Sequence, residues 1–145
     1  MRNIEYTNPR DNIERGEEPR HTVEMINEAG EVMGQASIDY YSNPIPYYQV
    51  TDLYTEPEFR SQRVASEIMD WVENWLKGKK RAGFLVDGIL PGDPAAGFYE
   101  RRGWIPVPGG RGQYVFNLPN SVEPERFRGI EMRQTWPEDR GKIGG

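Results

Sequence analysis

The chain has no cysteine and a single histidine, and these two scarcities exclude more chemistry than anything else in its composition. Without Cys there is no disulfide framework, no thiolate zinc site, no Cys nucleophile and no Cys-linked acyl intermediate. A metal centre built on several histidines is equally excluded, and any Ser-His-Asp triad would have to use His21. Long apolar runs are missing too. Nothing approaches the ~20 residues of a membrane-spanning helix, and Met1-Arg2-Asn3-Ile4-Glu5 has no apolar signal-peptide core. A soluble, cytoplasmic protein with no membrane partner is the expectation. Basic charge is in the minority, with 18 Lys and Arg against 23 Asp and Glu for a net charge of -5. That balance argues against a nucleic-acid binder working through a general phosphate field, and favours small-molecule or peptide partners.

What is present is one domain's length, 145 residues, with 36% apolar side chains, 16 Gly and 12 Pro. A real but loop-rich core follows. Residues 1–20 are polar, with turn signals at Asn8-Pro9 and Glu17-Glu18-Pro19, and only Ile4 and Tyr6 resemble a short strand. Two strands at 22–26 and 31–40 read as a half-buried hairpin across Asn27-Glu28-Ala29-Gly30, with Val32, Gly34, Ala36, Ile38 and Tyr40 alternating against polar partners. A third strand, 47–55, puts Tyr48, Val50, Asp52 and Tyr54 on one face if period two holds throughout.

The stretch 51–75 organises the rest. A strand ending at Thr55 turns through Glu56-Pro57-Glu58-Phe59 into a helix expected over 60–77, whose Val64, Ile68, Val72, Trp75 and Leu76 form one apolar stripe. Gly78 supplies the expected stop. A strand turning tightly into a helix aims free N–H groups and the positive dipole end at one point, a place for phosphate. Neither G-x-x-x-x-G-K-[ST] nor G-x-G-x-x-G stands at this turn, which removes the P-loop and dinucleotide readings.

Lys77, Lys79, Lys80 and Arg81 complement the dipole at the helix end. Phe84-Leu85-Val86-Asp87 suits a central parallel strand. Asp93-Pro94 opens a second helix, 94–102, that stops at Gly103. A hairpin of 104–107 with 113–117 follows, and 118–145 reads as a tail packed on the domain or extending from it, anchored by Phe127, Ile130, Met132 and Trp136.

The run Leu53-Tyr54-Thr55-Glu56-Pro57-Glu58-Phe59-Arg60-Ser61-Gln62-Arg63-Val64-Ala65 resembles the acyl-CoA-binding segment of the GCN5-related N-acetyltransferases, the GNAT superfamily. Arg60 takes the first position of the [Q/R]-x-x-G-x-[G/A] signature and Ala65 the last, while Arg63 replaces the middle glycine. A second match, Ala95-Ala96-Gly97-Phe98-Tyr99-Glu100-Arg101-Arg102-Gly103-Trp104, is similar to the family's A-x-x-x-Y-x-x-x-G-[F/W] helix, and the resemblance covers about 21–117. It implies an α/β fold with a mixed, splayed sheet: an antiparallel N-terminal meander, a split between the third strand and 84–87, and helices packed on it. The family's usual first strand and two helices would stand ahead of residue 21, so a lead of 1–20 implies a trimmed, open acceptor side.

The resemblance also implies acetyl-CoA as co-substrate, no metal, and direct transfer of acetyl to a primary amine in a ternary complex. Ser61, Gln62, Arg63, Val64, Ala65 and Ser66, with Arg60, would hold the pyrophosphate, and Leu53, Tyr54 and Thr55 would pair with the pantetheine arm. Small residues suit a close approach to phosphate. Arg63 either turns outward to add a charge-assisted bond or crowds the phosphates. Tyr99 stands where the family places a general acid for the thiolate, and a phenol of pKa ~10 keeps its proton until it is needed. Asp52 is the candidate base, with Asp87 and Tyr48 as candidates for the acceptor side, and Gly92 replaces a common Asn. The expected partners are a small-molecule or peptide amine and a second copy of the chain. Two alternatives stay open: a non-catalytic CoA-binding or protein-interaction domain, and a transferase for a macromolecule such as aminoacyl-tRNA or protein lysine, suggested by the basic run.

Overall fold

Alternating apolar residues in the first half of the chain build a meander. In the computed structural model, which describes residues 2–7, 18, 20–86, 94–110 and 112–130, it becomes one edge and the centre of a seven-stranded sheet of order β1-β2-β3-β4-β5-β7-β6. The strands are β1 (Asn3–Thr7), β2 (His21–Ile26), β3 (Val32–Tyr41), β4 (Tyr47–Thr55), β5 (Ala82–Val86), β6 (Ile105–Pro106) and β7 (Gln113–Phe116). All neighbours run antiparallel except β4 and β5, joined by the helix α1 (Val64–Lys79). A second helix, α2 (Pro94–Arg101), links β5 to the β6–β7 hairpin. This is the mixed, splayed architecture expected. The polar lead contributes more than expected, since residues 3–7 pair with β2 as an edge strand.

The period-two expectation for β4 fails partway. Ser37 pairs with Thr51 and Gln35 with Tyr54, so one residue of β3, Ala36, faces two of β4. The extra residue is a β-bulge, which reverses the alternation beyond it. Before the bulge Tyr48 and Val50 face α1; after it Leu53 packs there and Tyr54 is exposed. β3 is also less half-buried than its alternation suggests, because Ser37, Asp39 and Tyr41 on its other face are covered as well.

The apolar stripe of α1 buries Val64, Ile68, Val72 and Leu76, joined by Met69, against Val23, Met25, Ala36, Ile38 and Leu85. Each such side chain contributes roughly 1.5–3 kcal/mol on removal from water. On the opposite face Tyr41, Tyr47, Phe84, Val107 and Val115 form a second cluster that Phe127 closes from the tail. Residues 118–130 are thus packed on the domain, whereas Met132 and Trp136 lie outside the described residues.

Gly78 does not end α1. The helix runs on to Lys79, and Lys80 takes the left-handed conformation at φ 57°. Lys80 N–H then bonds Lys77 O and Arg81 N–H bonds Leu76 O, both at 3.1 Å, closing a Schellman turn. Asn117 donates its Nδ2 to Arg81 O at 3.0 Å. The stop is therefore set by where the last carbonyls find partners, and a glycine two residues before the left-handed Lys80 is merely tolerated.

At this end of α1, His21 is buried among Tyr6, Tyr48 and Trp75. Its Nδ1 is 2.6 Å from the Tyr6 hydroxyl and its Nε2 has no hydrogen-bond partner. Burial lowers its pKa, with Lys79 adding to the effect and Glu18 and Asp39 opposing it. The neutral ring is the one the fold accepts. Its contribution is present above the unfolded value of ~6.5 and is lost as pH falls toward the lowered folded value. Urea midpoints should fall more steeply between pH 7 and pH 5 in the wild type than in a His21→Phe variant; equal slopes would contradict this.

Candidate acyl-donor site

The site begins where two parallel strands part. Pairing of β4 with β5 runs from Tyr47 and Ala82 to Val50 and Leu85, yet β4 continues to Thr55. Beyond Thr55 a single 3₁₀ turn, Pro57–Phe59, folds the chain back toward α1. It is anchored by Glu56 N–H to Met33 O at 2.8 Å and closed by Arg60 N–H to Pro57 O at 3.3 Å.

Two residues of the next four, Ser61 (φ 77°) and Arg63 (φ 63°), are left-handed. Left-handed backbone costs a non-glycine residue roughly 1–2 kcal/mol, and strain of this kind persists where the surroundings dictate it. This supplies a reason for a signature glycine at the Arg63 position that close approach to phosphate alone did not: the turn itself needs positive φ there. Arg63 is the N-cap of α1 and makes no side-chain cap. Glu67 N–H to Arg63 O, at 3.1 Å, starts the helical ladder, so Val64, Ala65 and Ser66 have N–H groups with no acceptor within the helix.

The outcome is an open groove of about 470 Å³ lined by Leu53, Tyr54, Thr55, Arg60, Ser61, Arg63, Val64, Ala65 and Ser66. Arg60 donates Nε to Thr55 O at 3.1 Å and lays its guanidinium 5.6 Å over the Tyr54 ring. Gln62, the remaining residue expected to bind cofactor, lines a neighbouring pocket, and its carbonyl accepts Arg2 Nη1 at 2.7 Å. Arg2 also pairs with Glu67, so the start of the chain ties down the loop.

Gly34 is a site residue that sequence reasoning counted only as one beat of an alternation. A Cβ there would stand 2.7 Å from both Tyr54 O and Val64 Cγ1. Only a bare backbone lets the first turn of α1 sit this close to β3 and β4; the available signal was glycine inside a strand.

Tyr99 projects from α2 into the main core with 4% exposure, its ring 5.0 Å from Phe98, 6.1 Å from Tyr114 and 6.2 Å from Trp104. Its carbonyl accepts Trp104 N–H at 3.1 Å, and Gly103, at φ 94°, closes the Schellman turn that ends α2. The two helices are tied together from below. Glu73 Oε2 accepts Trp104 Nε1 at 2.8 Å and Arg102 Nε at 2.9 Å, while Arg102 also donates to Ser66 O at 3.1 Å and pairs with Asp70. Burial would lower the Arg102 pKa, but the hydrogen bonds and charges of Glu73 and Asp70 outweigh it and raise the value. Burial, aided by a 3.1 Å bond to Glu100, raises that of Tyr114.

Tyr48, the acceptor-side candidate, is 6% exposed in the aromatic cluster at the far end of β4, 4.8 Å from the Trp75 ring. Asp52 gives its backbone to β4, but its side chain, like the whole of Asp87 and Gly92, lies outside the described residues. No described helix is long and apolar enough to cross a membrane.

Comparison with known proteins follows the same lines. No curated protein sequence matches the chain. Among solved structures it is similar to a putative acetyl transferase from Pyrococcus furiosus, at 20% identity and a TM-score of 0.52 over 60% of each chain. It is likewise similar to the GNAT family N-acetyltransferase YhbS from Escherichia coli in complex with CoA, at 17% identity and 0.53 over 76% of this chain and 63% of that one. The AtaTR structure bound with AcCoA aligns at 15% identity and 0.54, covering 67% and 66%. The chain thus spans less than two thirds of the length of the Pyrococcus and Escherichia proteins, and at these identities the likeness is one of fold. The model of the acetyltransferase (GNAT) family matches residues 2–104, which is most of the chain, and the chain belongs to that family.

Proposed function

We propose that this protein is an acetyl-CoA-dependent N-acetyltransferase that passes acetyl directly to a primary amine, small molecule or peptide, in a ternary complex. The observation that carries the reading is the groove between the end of β4, past its described pairing with β5, and the N-terminus of α1. Its chemistry fits the donor. Free N–H groups and the dipole of a 16-residue helix favour an anion at Val64 to Ser66. Arg60 and Arg63 add cations at its rim. The β4 edge past Val50 offers main-chain groups to the amides of the pantetheine arm, as an added strand would. Two neighbours of the same fold carry CoA or AcCoA, which supports this use of the groove.

Within that complex Tyr99 is the general acid. The amine attacks the thioester carbonyl, the C–N bond forms, the C–S bond breaks, and the departing thiolate takes the phenolic proton. The proton shed by nitrogen goes to Asp52, directly or through water, and from there to solvent. Holding both reactants in one site supplies the larger part of the acceleration by removing the cost of bringing them together.

Isothermal titration should show acetyl-CoA binding. Free thiol release measured across a panel of amines, lysine peptides and aminoacyl-tRNA identifies the acceptor; no binding at millimolar donor would end this reading. Tyr99→Phe should lower kcat about 100-fold with the donor Kd within about twofold, whereas undiminished turnover would take the acid role away from Tyr99. Arg63→Gly should raise Tm, because the left-handed position then costs nothing. It should also weaken acetyl-CoA about fivefold through loss of one exposed charge-assisted bond. Tighter binding would mean that the guanidinium crowds the phosphates.

A further inference from the structure

Ser61 and Arg63 are left-handed without being glycine, and they stand on either side of Gln62. Such backbone relaxes unless its surroundings hold it. Arg63 makes no side-chain cap on α1, so its own side chain does not hold it as an N-cap would. The hold comes from the far end of the sequence. Arg2, just ahead of β1, donates Nη1 to Gln62 O at 2.7 Å and pairs through Nη2 with the Glu67 carboxylate. Gln62 C=O and Arg63 N–H belong to one rigid peptide plane, so a donor on that oxygen also fixes the nitrogen about which φ of Arg63 turns. On the far side of Arg63, Glu67 N–H bonds Arg63 O at 3.1 Å and fixes the next plane, which carries Val64 N–H. One guanidinium therefore grips the chain both before and after the strained residue.

We propose that Arg2 is a positioning residue for the donor: it takes the place of the glycine that a left-handed position ordinarily requires, and by holding the turn keeps the N–H groups of Val64, Ala65 and Ser66 aimed at the diphosphate. This rests on the transferase reading above. Arg2 is not among the residues that line the groove, so it acts on the donor through the backbone of Gln62, Arg63 and Glu67. Its importance is then tied to the residue that it restrains. Once glycine replaces Arg63, the left-handed turn costs nothing and the clasp becomes redundant. The plain alternative is that Arg2 acts as a charge, offsetting Glu67 in the first turn of α1 where a phosphate would feel it. A compensating charge is indifferent to which residue stands between Gln62 and Val64.

A double-mutant cycle in the full chain separates the two: wild type, Arg2→Met, Arg63→Gly and both substitutions together. In the wild-type background Arg2→Met should lower Tm by about 3 °C and weaken acetyl-CoA about fivefold in calorimetry. In the Arg63→Gly background the same substitution should cost at most about 1 °C and change the donor Kd by no more than about twofold. Thiol release with the amine that the wild type uses fastest adds a readout that general loosening of the fold would not reproduce. The acetyl-CoA KM of Arg2→Met should rise about fivefold with kcat within about twofold, the mark of lost binding alone. With S-acetylpantetheine, which has the thioester arm and no diphosphate, kcat/KM should stay within about twofold of wild type. Equal losses in the two backgrounds, no loss in either, or an equal fall in kcat/KM for both donors overturns the proposal. If acetyl-CoA binds and the effects simply add, only the Arg2 role falls. If the wild type binds no acetyl-CoA at millimolar concentration, the transferase reading falls and takes the positioning role with it, and the Tm values alone then decide whether Arg2 holds the turn.

Discussion

The parallel pairing of β4 with β5 stops at Val50 and Leu85, although β4 runs five residues further. Extending β5 alongside would satisfy those main-chain groups and close the sheet. Instead the crossover through α1 delivers β5 in a register in which, among the described residues, β4 has no β5 partner beyond Val50. The bulge of β4 lies in the same stretch, between Thr51 and Tyr54, and adds local twist that pulls the strand away from its neighbour. The groove lies along this stretch of β4, and the exposure of Tyr54 follows from the bulge. Unpaired main-chain groups are a liability at a sheet edge and an asset where an amide-containing ligand can pair with them.

The second constraint is how the chain gets from that strand into the helix. Ser61 and Arg63 both adopt positive φ, and Gly34 lets the first turn of α1 close on β3 and β4. The loop is held from outside by Arg2, through Gln62 O and Glu67, and from below by Arg102, which reaches Ser66 O while bound to Glu73. An anion site made of main-chain N–H groups is only as good as the fixity of its backbone, because small displacements are costly where the electrostatics are short-range. The ties to β1 and α2 supply that fixity. They also couple the groove to the end of the helix that bears Tyr99.

Much of this was legible in the sequence, and the failures have physical causes. Strand β2 was readable because its burial alternates, β3 because Val32, Gly34, Ala36, Ile38 and Tyr40 alternate with more polar residues in the sequence, and α1 because Val64, Ile68, Val72 and Leu76 recur at the helical period. The groove residues followed from a strand–turn–helix pattern whose chemistry is local. What could not be read depends on partners distant in the chain. The bulge in β4 exists only in its register with β3, so a strictly alternating reading put Tyr54 on the face of Tyr48. Gly78 looked like a stop, but the carbonyls of Leu76 and Lys77 decide where α1 ends. Arg2 gave no sign that it would reach Gln62, sixty residues on. Nor could the sequence show that Tyr48 would pack against Trp75 and His21.

The two faces of the sheet are filled by different rules. Toward α1 the core is aliphatic and aromatic, and its composition follows from burial alone. On the other face Tyr41, Tyr47, Phe84 and Phe127 pack in the same manner, but beside them stand Ser37, Asp39, Gln49 and Thr51. Stability does not ask for this. A buried ion pair such as Arg20 with Asp39 roughly balances its own desolvation, and apolar residues of equal volume commonly serve a fold as well or better. Shape does not ask for it either, since valine would fill the place of Thr51. The cost of these groups is borne by pairing: Arg20 holds Asp39 with Nε at 3.0 Å and Nη2 at 2.8 Å, and a polar network of this kind fixes the register of β3 against β4 at the expense of apolar burial.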